Sequence, residues 1–302
     1  MADDNLPEEA DALGALDAEL AAELPSGAAK NVAAILASPS YRLANEDLAL
    51  LDRDELRPVR LMLELLKPEL ALAEQRIDST VVVFGSTQIV DAEAAVRRTV
   101  AAREALAEAP NDARLKRSLE RAERLEAKAD VYDAAREFAR LVSSTCQNDR
   151  CDFVITTGGG PGVMEAANRG AYDVGAKSIG LNITLPAEQA PNPYITPESC
   201  FRFRYFAIRK MHFLLRAKAL VVFPGGFGTL DELFDALTLR QTRCMQEIPI
   251  VMYDRAYWER VIDFQFLADE GTISDENLEL ISFAATPQEA WDIITAFEAR
   301  AD

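Results

Sequence analysis

The stretch Phe201–Glu232, FRFRYFAIRKMHFLLRAKALVVFPGGFGTLDE, decides how this chain is read. Its apolar run Ala219–Phe223 reads as a β-strand, Pro224–Gly228 as a glycine-rich turn, and Thr229 to about Gln241 as a helix. Strand, glycine turn and helix in that order form one unit of an α/β sheet. Six basic side chains stand before the turn with no acid among them: Arg202, Arg204, Arg209, Lys210, Arg216 and Lys218. In a chain of formal charge -18, that local reversal predicts an anionic small molecule held at the strand-to-helix turn.

Working outward, the same alternation repeats. Thr80–Phe84 is a β-prone run without polar alternation, as in a parallel strand buried on both faces. It stops at Gly85-Ser86-Thr87, small residues that let backbone approach a ligand. Asp152–Thr156, Lys177–Thr184, Ile248–Met252 and Leu280–Phe283 read as further strands, six in all. Helices are expected over Asp91–Leu106, in one long charged segment at 112–144, to about Tyr172 after the second strand, over Phe206–Lys218, from Trp258 to about Asp269, and after Thr286-Pro287. The pattern predicts a doubly wound, mostly parallel sheet covered on both faces, with the charged helix inserted in the first crossover. Such sheets bind ligands beyond the carboxyl ends of their strands, where Gly85, Gly158–Gly162 and Gly225–Gly228 would meet. Residues 1–76 read as an acidic, helical N-terminal extension, with helix between Asn45 and Glu74, and 77–302 as the main domain.

Thr157-Gly158-Gly159-Gly160-Pro161-Gly162-Val163-Met164 has the context of an anion cradle, since free N–H groups at a helix start face the ligand. It is not the dinucleotide fingerprint, because Pro161 stands within the spacing that motif needs, and it is not a P-loop, because no Gly-Lys-Ser/Thr follows. Thr229-Leu230-Asp231-Glu232 also fits a capping box, and Thr286-Pro287-Gln288-Glu289 repeats that pattern with no glycine turn or basic cluster nearby. Capping and catalysis therefore both stay open for Glu232. One of Arg209 and Lys210 is expected to reach the ligand, an arginine fork suiting phosphate best. His212, the sole histidine, reads as a helix-face residue.

Composition narrows the class. The chain has 302 residues, 49% hydrophobic and 27% charged, which suits a globular α/β protein. Its acidity disfavours a nucleic-acid partner, which needs an extended basic face. No run approaches the roughly 20 apolar residues of a membrane span, and the N-terminus is acidic where a secretory signal would be basic. Cys146, Cys151, Cys200 and Cys244 form neither a disulfide framework nor, with one histidine, a zinc site. A cytoplasmic protein without metal or cofactor is expected.

These residues carry a resemblance. Pro224–Glu232 is similar to the PGGxGTxxE motif of the LOG (Lonely Guy) family, proteins often labelled lysine decarboxylases. Gly158–Met164 resembles the family's other glycine motif, and Arg209-Lys210 its Arg-Lys pair. The resemblance implies a Rossmann-like fold and hydrolysis of the N-glycosidic bond of a nucleoside 5'-monophosphate such as AMP or a cytokinin nucleotide, giving free base and ribose 5-phosphate. It implies catalytic roles for Arg209 and Glu232. It assigns substrate and phosphate binding to Gly85, Ser86, Gly158, Gly159, Gly160, Gly162, Met164, Lys210, Gly225, Gly226, Gly228 and Thr229. A homodimer or larger homo-oligomer is expected, with pocket residues near the subunit contact. Pyridoxal phosphate chemistry is not expected, for no ring pocket accompanies Lys210 or Lys218. Ala207-Ile208 before the Arg-Lys pair lacks the acidic neighbour usual in cytokinin-activating members, which favours AMP or a related nucleotide. The other reading is a nucleotide sensor or carrier that performs no hydrolysis.

Overall fold

The computed structural model describes residues 25–145, 151–184 and 190–301. At its centre lie seven strands: β1 (Thr80–Phe84), β2 (Val154–Thr157), β3 (Ser178–Ile183), β4 (Cys200–Phe203), β5 (Ala217–Val222), β6 (Ile250–Tyr253) and β7 (Ile281–Ala284). All pair in parallel, in the order β4-β3-β2-β1-β5-β6-β7. The chain builds outward from β1 to β4, then returns to place β5 on the other side of β1. That reversal makes the β1/β5 boundary the switch point of a Rossmann-like sheet, where ligands bind.

Among the described residues, twelve α-helices accompany it: α1 (Ser26–Leu36), α2 (Leu48–Leu51), α3 (Arg57–Glu74), α4 (Ala92–Glu108), α5 (Ala113–Glu126), α6 (Ala129–Ser143), α7 (Val163–Asp173), α8 (Phe206–Leu215), α9 (Phe227–Gln241), α10 (Arg255–Val261), α11 (Phe264–Asp269) and α12 (Pro287–Ala301). By contacts the chain divides into residues 1–62 and 63–302. In the first unit, Arg60 donates to the carbonyls of Leu51 and Arg53.

The period-2 geometry of strands explains why β1 is apolar throughout. Val81 and Val83 face one core with Phe138 and Val142 of α6, Ala166 of α7 and Ile294 of α12. Val82 and Phe84 face the other, with Phe213 of α8, Leu233 of α9 and Trp258 of α10. Both faces are covered, so every position in the strand is buried. Each such side chain contributes about 1.5–3 kcal/mol.

Several elements differ from the sequence reading. Among the described residues there are seven strands, not six, since Cys200–Phe203 forms an edge strand on β3. The charged segment is two helices with a break at Ala127-Lys128, and α4 packs against α5. The helix expected from Trp258 is likewise two, α10 and α11. The helix expected from Asn45 begins at Arg57 after α2, and it runs through Pro68. Ser26, read as part of a break, opens α1. Residues 1–24, Cys146 and part of the Pro186–Pro197 loop lie outside the described residues. Among the described residues, no helix is long and apolar enough to cross a membrane.

Candidate active site

The switch point is built by register. Phe84 of β1 lies beside Val222 of β5, so the chain leaving each strand meets the other. Phe223 donates its N–H to Phe84 O at 2.8 Å, and Ser86 donates to Pro224 O at 3.0 Å. A cleft of about 360 Å³ opens above this junction. Gly85 and Ser86 after β1, Met164 of α7, Arg209 of α8, and Gly226, Gly228, Thr229 and Glu232 of α9 and its approach all line it. Eight of the residues nominated from sequence therefore meet on one cavity, whose size suits a small ligand.

The remaining nominees stand behind it. Gly225 is buried under the turn, where any side chain would collide with Thr229. Gly162, at φ +74, is the N-cap of α7 and presses on the Ser86 carbonyl, so it shapes the turn after β1 from below. Gly158 backs the Arg209 guanidinium: a Cβ there would lie 2.5 Å from Nη2 and 2.9 Å from the Met164 sulfur. Gly159 and Gly160 are held by buried amides instead of facing the cleft. Asn192 donates its backbone N–H to Gly159 O at 2.9 Å and its side-chain amide to Gly160 O at 3.1 Å. Asn192 is joined in turn to Asn168, which bonds Thr157 and Ser178. Lys210 does not line the cleft itself but pairs at 2.8 Å with Asp231, which does.

The basic cluster does not act as one anion site. Arg209 alone of the six lines the cleft. Lys210, Arg216 and Lys218 pair with Asp231, Glu69 and Glu298, acids brought by other elements. Arg202 donates to Thr184 Oγ1. His212 is buried, not on an open face; its ring contacts the Glu64 carbonyl and Glu69, and burial lowers its pKa.

The capping reading of Glu232 is corrected. Helix α9 starts at Phe227 with Gly226 as its N-cap, so Thr229 already lies inside the first turn. The N–H groups of that turn consequently have no side-chain cap, the condition in which a helix start receives an anion. At Thr286 the same four-residue pattern does cap: Thr286 Oγ1 accepts from Glu289 N at 3.1 Å, and Glu289 accepts from Ala285 N at 2.8 Å. Glu232 is instead only 8% exposed, on the face of α9 that also buries Leu233 and Ala236. Arg209 Nη1 stands 3.8 Å from its carboxylate, beyond hydrogen-bond reach. Loss of solvent pushes the Glu232 pKa up to about 7, against the pull of the Arg209 and Lys210 charges. Arg209 is fixed by donating Nε–H to Leu181 O at 2.7 Å and by lying over the Phe213 ring, 4.9 Å from its centroid. Burial lowers its pKa too.

Thr87, read with Gly85 and Ser86 as a turn open to a ligand, lines the cleft as well, while sequence reasoning passed over Gln88, Phe206 and Phe227, which also line it. Phe206 and Phe227 open α8 and α9 and remain exposed, Phe227 by 93%. An aromatic residue inside a glycine turn, with no core to join, is the signal that pointed to Phe227.

A family model described as "Possible lysine decarboxylase" matches residues 164–294, a span holding Arg209, the glycine turn and Glu232. A probable cytokinin riboside 5'-monophosphate phosphoribohydrolase from Oryza sativa subsp. japonica is 27% identical over 153 residues, 49% of this chain and 60% of that protein. A cytokinin riboside 5'-monophosphate phosphoribohydrolase from Arabidopsis thaliana is 29% identical over 140 residues, 45% of this chain and 63% of its own length. The chain thus spans less than two thirds of these relatives. Among solved structures, the X-ray structure of TM1055, a structural genomics target, covers 72% of this chain and 99% of its own at 22% identity, with a TM-score of 0.44.

Proposed function

We propose that this chain, a relative of the LOG (Lonely Guy) phosphoribohydrolases, hydrolyses the N-glycosidic bond of a nucleoside 5'-monophosphate. The products are free base and ribose 5-phosphate, with AMP or a related purine nucleotide as substrate. The observation that carries this reading is the buried Arg209–Glu232 pair on a cleft walled by an uncapped glycine turn.

Chemistry follows from the layout. The phosphate suits the turn Gly226–Thr229, whose N–H groups and helix dipole favour negative charge. Glu232 lies three residues past that turn, about 4.5 Å further along the axis, a ribose-scale offset. Cleavage develops oxocarbenium character at C1' and negative charge on the departing base. The ionised Glu232 stabilises the former or orients the attacking water, and the Arg209 guanidinium stabilises the latter. Neither group needs to move, because Leu181, Phe213 and the α9 packing hold both. Phe206 and Phe227 offer aromatic faces for the base to stack on.

The decarboxylase description fits the residues poorly. Pyridoxal phosphate enzymes need a lysine amine at the site. No lysine is among the described residues lining the cleft; Lys210 is ion-paired with Asp231 at its wall and Lys218 with Glu298. The proposal extends to self-association through the apolar faces of α3 and α8, and to a cytoplasmic setting, which the free thiols of Cys151, Cys200 and Cys244 favour.

The test is incubation with a panel of nucleoside monophosphates, reading free base, beside Glu232→Gln. Base release by the parent and its loss by a hundredfold or more in the variant are expected. Tight binding without release from any substrate would leave a nucleotide sensor or carrier in place of the enzyme.

A further inference from the structure

Tyr257 lies outside the cleft, on α10, yet its hydroxyl donates to the Gly225 carbonyl at 2.7 Å. In a trans peptide the carbonyl of one residue and the N–H of the next point in opposite directions. No cis peptide occurs among the described residues. Drawing the Gly225 oxygen toward α10 therefore turns the Gly226 N–H the other way, to the side on which Gly226 lines the cleft. The preceding plane is held likewise, by Ser86 N–H donating to Pro224 O. A Gly-Gly peptide resists rotation less than any other. Without its donor, this one would be free to show an anion its carbonyl instead of its N–H.

Tyr257 is itself held from several sides. Its ring meets Trp258 edge-on with centroids 5.1 Å apart, and Lys128 Nζ lies 5.1 Å from the ring centroid. Lys128 also stands 3.8 Å from Asp254, whose carboxylate accepts the Tyr257 N–H at 3.1 Å. Asp254 opens α10 in the left-handed region, at φ +69, a backbone state that favours glycine and persists where the surroundings impose it. Lys128 just before α6 and Asp254 just before α10 thus help aim one hydroxyl at one carbonyl of the glycine turn.

We propose that Tyr257 is a positioning residue for the anion-binding turn, acting through the Gly225–Gly226 peptide on the phosphate end of the substrate. The inference rests on the phosphoribohydrolase reading only for what that phosphate belongs to.

Tyr257→Phe keeps the ring and its contacts and deletes the hydroxyl. The full chain is titrated with inorganic phosphate, and KM and kcat are measured with AMP. Expected is a rise of roughly three- to tenfold in both phosphate Kd and KM, the size of one lost hydrogen bond, with kcat and Tm close to the parent. A purely structural hydroxyl would lower Tm and the active fraction while leaving both constants of the folded protein alone. Unchanged Kd and KM in folded Tyr257→Phe overturn the proposal, as does a parent that binds no phosphate. A parent that binds phosphate but releases base from no nucleotide fails the hydrolase reading instead, and the phosphate titration still decides Tyr257.

Discussion

At the scale of single residues, Glu232 sets the strongest expectation. Its ordinary carboxyl value is 4.5, and burial raises it to about 7 in the folded protein. The catalytic form argued above is ionised, so kcat/KM is expected to rise with pH through about 7 and level off above it. A profile flat between pH 5.5 and 8 would remove Glu232 from the chemistry. Stability runs the opposite way. The unfolded chain gives up this proton near 4.5 and the folded chain near 7, so between those values the native state holds more protons and rising pH destabilises it. The loss is complete above the folded value and amounts to roughly 3 kcal/mol at most. Glu232→Gln cannot ionise, so its stability relative to the parent is expected to improve between pH 5 and pH 8, read as the difference in Tm at the two values. Gly158 gives a second test. Any side chain there collides with the Arg209 guanidinium and the Met164 sulfur. Gly158→Ala is expected to fold, since the obstructing atoms end flexible side chains, and to lose tenfold or more in kcat/KM as Arg209 is displaced. Parent-level turnover would mean that the position of Arg209 does not matter.

At the scale of elements, the central strand was legible because burial on both faces leaves an unbroken apolar run, and Thr80–Phe84 stands as β1 residue for residue. The edge strand Cys200–Phe203 was not. Arg202 is exposed between the buried Phe201 and Phe203, and that short alternation was absorbed into a basic segment expected to be helical further on. The break at Ala127-Lys128 leaves no mark, because helix formers continue on both sides and packing sets the corner. The basic cluster misled for a different reason. Its counter-charges sit far off in sequence, Glu69 for Arg216 and Glu298 for Lys218, and only the fold brings them together. The glycine turns were placed correctly at one edge, whereas the start of α9 was taken two residues late, which turned an open helix start into a capped one. That open start bears on specificity. Phe206 and Phe227 head two helices on one cleft. Stacking on an aromatic ring contributes ~1–3 kcal/mol per base and tolerates any base. Phe227→Ala is therefore expected to raise the KM for AMP about fivefold or more while leaving the Kd of ribose 5-phosphate unchanged. Equal losses for both ligands would place Phe227 at the phosphate end instead.

At the scale of the whole molecule, the carriers of the site also carry unpartnered apolar surface. Leu63, Leu66 and Leu70 follow one another at helical spacing on α3 and are all exposed. Helix α8 meets α3 through Glu64 and Glu69, which contact His212 and Arg216, and it exposes Met211 and Leu215. Between α8 and α9 runs a groove of about 630 Å³ lined by Met211, Leu214, Leu215, Leu239 and Met245, with Lys210 and Asp235 at its polar positions. A single exposed leucine needs no explanation, but a run on two adjoining helices beside a methionine-lined groove is the face through which the proposed self-association is expected. A second copy suits it, because a two-fold contact sets one apolar patch against the same patch and needs no complementary charge. The net charge of -18 acts against self-association, so the contact is expected to tighten as salt rises, the reverse of a contact held by ion pairs. Arg209 and Lys210 precede Met211 on the same helix, so a dimer formed through this face would be coupled to the cleft through α8. Sedimentation velocity of the full chain is expected to show a dimer or larger species at micromolar concentration. Leu66→Glu with Leu215→Glu is expected to shift it to monomer and to reduce turnover, with helical content retained. A parent that sediments as a monomer at every concentration and salt tested would remove the second copy. A monomeric double variant with full turnover would show instead that each cleft works alone.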